Sequence, residues 1–455
     1  MIPVFAAIYF LVTKSHREAF LYVYMPTVLC LPTWAHWMIP GLPDPNFCTA
    51  TVLPVTAAFL ISGRRGWKFS IVDVLVGLFL FTVGYSEYTN AGWSEAQNLL
   101  FDMIAMGFLP YVLAKGIVEP NGLRIAFVRS FVWCLAITIC TTLYEFRFGF
   151  NLYIKILGPF FPGQADGWVT TFRYGLARVA GPFAHAILAG VVLMFGLRFQ
   201  LWLHAMGAWE PRLKRFHIGP FSKSMLLNLT MLGGLGITLV RGPQLGAVLG
   251  GILGLVGQGK NPRLRAKLLL LGVLVIGVPL AIQAWQYASV GRANAVDSNQ
   301  ETAAYRKELI DKYVDIAMQH APLGWGRSGW PKIPGMPSID NYYLLLALMH
   351  GVYATLLLFT IIVVMMVRLY RNGMRYAPMK PAGSSLSFCL LGCYLGFMFS
   401  IATVYMGENV IPVFFLVTGF ADGFLGGGGD AQLLKRAGAQ VIEVVARPRF
   451  ARVVA

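Results

Sequence analysis

Charge is what this sequence has least of. Asp, Glu, Lys and Arg make up 13% of its 455 residues, and 57% are hydrophobic. A soluble domain carries about 25% charged and about 45–50% apolar residues, so a secreted enzyme, a cytosolic enzyme and a disordered scaffold are all excluded. Cysteine is scarce as well. Cys30, Cys48, Cys134, Cys140, Cys389 and Cys393 all lie in apolar runs, with no C-x-x-C or Cys/His spacing. That excludes a disulfide framework and a zinc site and leaves small buried hydrophobes. There is no basic stretch ahead of the first apolar run, so no cleavable signal peptide is expected. Outer loops lack a D-x-D-like acidic pair, and no phosphate-cradling glycine loop is present.

What is there is apolar sequence in long runs. A bilayer span takes about 20 mostly apolar residues, and twelve runs qualify. They are Phe20–Ile39, Phe47–Ser62, Phe69–Ser86, Leu99–Val118, Ile125–Phe146, Val179–Leu197, Met225–Val240, Gly242–Val256, Leu268–Tyr287, Tyr342–Val367, Leu386–Tyr405 and Ile411–Gly427. Met1–Val12 is a further apolar piece, too short to span alone. The expected fold class is an all-α polytopic membrane protein of twelve transmembrane helices. A long loop bearing an amphipathic helix joins the ninth and tenth spans.

The net charge of +17 is an orientation signal rather than a nucleic-acid footprint. With Lys14 and Arg17 inside, alternation also puts Arg64/Arg65/Lys68, Arg212/Lys214/Arg215, Lys260/Arg263/Arg265, Arg368/Arg371/Arg375/Lys380 and the tail Lys435–Arg452 inside. Asp44, Glu87, Glu95 and Glu408 fall on the other side. Basic loops collect on the cytoplasmic face, so both termini are expected there and no nucleic acid is expected as a partner. The organisation reads as an N-terminal segment (1–19), a bundle of nine spans (20–287), an outer loop (288–341), three further spans (342–427) and a basic tail (428–455).

Two outer segments are long, Arg147–Arg178 and Ala288–Asn341. In the second, Tyr305, Leu309, Tyr313 and Ile316 recur at helical spacing, and the pattern breaks at Pro322-Leu-Gly324-Trp-Gly326. In the eighth span Gly242, Gly246, Gly250 and Gly254 form a stripe on one helix face, suited to close backbone packing.

Candidate chemistry gathers at the outer rim. Arg241 sits where span seven turns into span eight, and its planar fork suits bidentate phosphate contact. Arg178 ends the first long loop, and Arg306 lies on the loop helix. Arg292 and Arg327 flank that helix and rank lower. Asp340, with Asn341, stands where the loop re-enters the membrane ahead of Tyr343. A carboxylate there suits general-base work on a hydroxyl, while helix capping is the plainer reading. His320 is a second base candidate at the end of the loop helix. His185 and His350 read as packing residues within spans, and Asp102, Arg129 and Asp422 lie in apolar runs.

The order Arg178-x-x-Gly181-x-Phe183, Arg241-Gly242, Arg306, Pro322-x-Gly324-x-Gly326 and Asp340-Asn341-x-Tyr343-Leu344, ahead of Gly351, resembles the O-antigen ligase/polymerase superfamily of bacterial envelope glycosyltransferases. The resemblance covers residues 20–427 in architecture. The ligases usually carry a His before the loop-end Asn, where this chain has Asp340, and a Ser before the hairpin Arg, where it has Val240. In that respect it is more similar to the exopolysaccharide and O-antigen polymerases. The resemblance implies an inner-membrane enzyme working on the periplasmic face without metal or cofactor. Its donor would be an undecaprenyl-pyrophosphate-linked oligosaccharide and its acceptor a glycan or lipid-linked glycan, with membrane lipid around it and a chain-length regulator as a candidate partner. Catalysis would fall to Asp340, Arg241 and His320, and substrate binding to Arg178, Arg241, Arg306, Asn341 and Tyr343. Transfer to lipid A-core is the alternative within the family. A flippase for lipid-linked oligosaccharides is the alternative from another class, disfavoured because carriers place charge at the midplane of repeated halves and no internal repeat is apparent.

Overall fold

A computed structural model of the chain describes residues 2–38, 43–63, 66–165, 168–209, 222–258, 261–379, 381, 383–407 and 409–431. The basic residues Arg64, Arg65, Arg212, Lys214, Arg215, Lys260 and Lys380, the acidic Glu408 and the tail Lys435–Arg452 lie outside the described residues.

Among the described residues the regular structure is helical, with one small hairpin. In chain order the helices are α1 (Ile2–Thr13), α2 (16–30), α3 (Phe47–Ile61), α4 (Ile71–Ala91), α5 (Trp93–Val118), α6 (Arg124–Phe148) and α7 (Leu152–Leu157). Strands β1 (Thr171–Arg173) and β2 (Leu176–Arg178) follow. Then come α8 (Ala186–Ala205), α9 (Lys223–Ile237), α10 (Arg241–Val256), α11 (Pro262–Ala288), α12 (Ser298–Gln319), α13 (Tyr342–Tyr376), α14 (Leu386–Ile401) and α15 (Val410–Gly426). Among the described residues α4, α5, α6, α8, α11 and α13 are long and apolar enough to cross a membrane, and α1, α3, α14 and α15 are shorter apolar helices. The chain is a multi-pass membrane protein.

Several runs differ from their expected bounds. The first leaves the helix after Cys30, where Pro32 follows. The sixth begins at Ala186 rather than Val179. The Glu145 carboxylate accepts the amides of Ala180 (3.0 Å) and Gly181 (2.8 Å), and Pro182 has no amide to offer a helix. The outer segment therefore runs on to His185, which caps α8 by accepting the Ile187 amide.

The glycine stripe of α10 meets a matching pair on α14. A methyl on Gly250 would fall 2.4 Å from the Gly392 carbonyl oxygen, and one on Gly246 would fall 2.8 Å from that of Gly396. Only bare backbone permits this approach. One cluster of buried charges within the bundle is mutually neutralised. Lys115 lies 2.6 Å from Asp73 and 2.7 Å from Asp422, and Arg368 reaches Asp422 at 2.5 Å.

The long loop packs as a second small core. Leu309, Tyr313 and Ala317 of α12 meet Met336 and Ile339 of the returning chain and Leu344 and Leu348 of α13. Helix α13 breaks at Gly351, whose φ is 81°. The carbonyls and the amide that the break would otherwise strand are paired with Ala321 and the P-x-G-x-G segment that follows it. Trp325 and Gly326 donate to Leu348 and Met349 (2.8 and 2.9 Å), and Val352 donates to Ala321 (2.6 Å). Gly324 and Gly351 face each other across this seam. A methyl on Gly324 would lie 2.6 Å from backbone atoms of Met349 and Gly351, and one on Gly351 would lie 2.3 Å from the Pro322 oxygen. The motif is thus a docking element, and it holds the chain just beyond α12 against α13.

Candidate active site

The α9–α10 turn, the β1–β2 hairpin, α12 and the start of α13 converge on one cavity of about 950 Å³. Its lining includes Arg173, Arg178, Arg241, Arg306 and, as its one carboxylate among the described residues, Asp340. Four guanidiniums against a single acid make it strongly cationic.

Each arginine is placed by backbone. Arg178 ends β2 and Arg173 ends β1, paired through the registers Thr171↔Arg178 and Arg173↔Leu176. The connecting turn is Tyr174-Gly175, both with positive φ (53° and 75°), the two-residue conformation that matches strand twist. Below Arg178 the chain is anchored by buried side chains. Glu145 holds Ala180, Gly181 and Thr170, the Asn151 amide donates to Gly181 (2.8 Å), and the Asn409 amide donates to Pro182 (3.3 Å). Arg241 opens α10 after Leu239, another residue with positive φ (52°). Hairpin and turn are bonded both ways: Arg173 donates to the Leu239 carbonyl (2.9 Å), and Arg241 donates to the Tyr174 hydroxyl (2.6 Å). Arg306 projects from α12 toward the Thr403 carbonyl (3.4 Å).

Burial sets the electrostatics. Burial, then the charge of Arg173, pushes the pKa of Arg178 below the usual guanidinium range. Burial does the same to Arg306; Asp340 opposes it, while Arg173 and Arg241 add to it. The Nε–H groups of Arg178 and Arg306 are buried and bonded to no protein atom among the described residues. An unmet buried donor costs about 1–3 kcal/mol, which oxygens of an anion would relieve.

Asp340 takes no part in capping α13. Asn341 does that, accepting the Leu344 amide at 3.2 Å, while Asp340 accepts the Ser338 hydroxyl at 3.1 Å. Asp340 stays half-buried on the cavity wall. Two other sequence candidates stand elsewhere. His320, at the far end of α12, stacks on Trp325 at 3.7 Å between centroids and does not line the cavity. It lies fourteen residues beyond Arg306, about 20 Å along a helix. Tyr343 turns away, its hydroxyl donating to the Met398 carbonyl (3.3 Å), whereas Leu345 faces the cavity. Two residues on a helix point about 200° apart, which separates their faces.

The lower-ranked arginines are occupied. Arg327 pairs with Glu87 and Glu95 (3.5 Å each), and Arg292 with Glu301 (3.7 Å) and over the Tyr305 ring. His350 is buried against Ser86, as expected of a packing residue.

Sequence reasoning missed Arg173 and set His185 aside. His185 lines the cavity. Burial, followed by the Arg178 charge, holds its pKa down to about 4, with Asp340 pulling the other way. Because Nδ1 accepts the Ile187 amide, the neutral ring carries its proton on Nε2 and presents a donor. An Arg in an aromatic loop and a His before an apolar run are the faint signals that were available.

Residues 226–359 match the model of a family described as O-antigen ligase. The chain carries an O-antigen ligase family domain. That stretch holds Arg241, Arg306 and Asp340, together with the docked loop and the Gly351 break. It makes the protein a membrane glycosyltransferase of polysaccharide biosynthesis. A comparison with curated proteins gave no match.

Proposed function

We propose that this glycosyltransferase is a polysaccharide polymerase of the bacterial inner membrane. It would transfer an undecaprenyl-pyrophosphate-linked oligosaccharide to a glycan acceptor at the periplasmic face, without a metal. The observation that carries this reading is the convergence of Arg178, Arg241, Arg306 and Arg173 with one carboxylate, Asp340, in a single cavity. Arginines at that density suit a pyrophosphate, and their fork geometry gives two parallel bonds to its oxygens. A pyrophosphate is already a good leaving group, so the protein need only neutralise the charge that develops on it.

In this mechanism the acceptor hydroxyl oxygen attacks the anomeric carbon, and the bond from that carbon to the pyrophosphate oxygen breaks. The hydroxyl proton passes to the Asp340 carboxylate, which Ser338 orients. Arg241, Arg178 and Arg306 hold the departing pyrophosphate, whose oxygens replace the Tyr174 hydroxyl on Arg241 and meet the buried Nε–H groups. Neutral His185 donates a hydrogen bond from Nε2 rather than acting as a base. Loop helix α12 covers the site and aligns the two lipid-linked substrates, a proximity effect. Asn341 and Tyr343, offered by sequence as substrate contacts, serve as cap and packing side chain in this arrangement, and His320 has no part in it.

The topology read from the basic loops, twelve spans with both termini cytoplasmic, would put this cavity on the periplasmic side. Transfer to lipid A-core remains the alternative outcome of the same chemistry. Purified protein given donor alone distinguishes the two: a ladder of products rising by whole repeat units is expected of a polymerase, and a single transfer that waits for lipid A-core is expected of a ligase.

A further inference from the structure

A second cationic cavity lies at the other end of the molecule. Helix α11 runs from Pro262 to Ala288, and its last turn reaches the candidate active site through Tyr287. Its first turn lines a cavity of about 850 Å³ against the tail of α13. Twenty-seven helical residues span about 40 Å, so the two cavities stand on opposite faces of a membrane. The wall of the second includes Arg263, Arg371 and Arg375 and, among the described residues, no acidic one. None of the three is in an ion pair among the described residues.

What rises from this cavity is apolar and uncovered. Only Pro262 is buried in all of α11. Leu264, Leu268 and Leu271 are more than half exposed, and Phe359, Val367 and Tyr370 of α13 are also exposed. Three guanidiniums below two bare apolar shafts complement a ligand with an anionic head and long hydrocarbon chains. We infer that this cavity binds an acidic glycerophospholipid, its phosphate among Arg263, Arg371 and Arg375 and its acyl chains along α11 and α13. Basic pockets at helix ends on the cytoplasmic side suit such headgroups.

The lipid would fix the foot of a helix whose head is tied to the active site. Gln300 of α12 donates to the Tyr287 carbonyl (3.3 Å), and the Tyr287 hydroxyl donates to Asp297 (3.2 Å). Arg265 donates to the Leu255 carbonyl of α10 (2.9 Å), which ties the foot to its neighbour helix.

The test is native mass spectrometry with thermal unfolding of the full chain in detergent, adding phosphatidylglycerol, phosphatidylcholine or inorganic phosphate. Phosphatidylglycerol should remain bound and raise the Tm above that with phosphatidylcholine, and inorganic phosphate should do neither. With Arg263→Gln, Arg371→Gln and Arg375→Gln combined, retention should weaken by about a hundredfold, since each basic residue near a surface contributes about fivefold. The three side chains are exposed, and the Arg263→Lys, Arg371→Lys and Arg375→Lys combination, which keeps the charge, should restore most of the binding. Equal retention by the Gln variant would overturn the site, and so would inorganic phosphate reproducing the Tm shift, which would make it a free-anion site.

Discussion

Asp340 and Asn341 are neighbours with divided labour, and the division can be measured. Asp340→Asn should leave the Tm unchanged, because Asn341 makes the cap, while the transfer rate falls by about a hundredfold or more, as expected for loss of a general base. Asn341→Ala should do the reverse, costing about 1 kcal/mol of stability. Full activity in folded Asp340→Asn would remove the base from the mechanism. Arg241→Lys keeps the charge but loses the fork, and transfer should drop at least about tenfold at normal protein levels. His185 gives a pH signature. Its pKa is about 4 in the folded protein against an ordinary 6.5, so between those values the unfolded chain binds the extra proton. Stability from this residue is complete above about pH 6.5 and declines as pH falls toward 4. His185→Asn, which keeps a capping oxygen, should flatten the Tm over that window. Arg178, Arg241 and Asp340 were legible as site candidates because each stands beside a turn or a re-entry point, and Arg306 because it lies on the loop helix. Arg173 and His185 were not, because only the hairpin register and the cap on α8 bring them to the cavity.

At the scale of elements, the apolar runs were readable as helices because bilayer-length hydrophobicity dominates every other signal. Their ends were not, since these depend on tertiary partners such as Glu145, which takes the amides that would have continued α8 upstream. The P-x-G-x-G break was legible as an end to the loop helix. Its role as a splint for the Gly351 break was not, because it rests on two positive-φ glycines, Gly324 and Gly351, meeting from distant points in the chain. Gly324→Ala should therefore undock the segment. Hydrogen exchange at the Trp325 and Gly326 amides should quicken markedly, with activity falling as α12 loses its anchor. Unchanged exchange would show that the seam tolerates the methyl.

For the molecule as a whole, the account sets a catalytic cavity and a lipid-binding cavity on opposite membrane faces. Single cysteines at Ser338 and Asn261, in a background with the native cysteines replaced, should label with an impermeant maleimide from opposite sides of sealed vesicles. Labelling of both from one side would break the topology. The central claim is that the arginine cavity transfers glycan from a pyrophosphate-linked lipid, and one measurement meets it directly. The purified protein in lipid discs is given an undecaprenyl-pyrophosphate oligosaccharide, and products are resolved on a gel. The account predicts a ladder of whole repeat units with release of undecaprenyl pyrophosphate, formed at least about tenfold more slowly in Arg241→Lys and about a hundredfold more slowly in Asp340→Asn. A donor left intact by folded protein, whatever glycan acceptor is supplied, would contradict it.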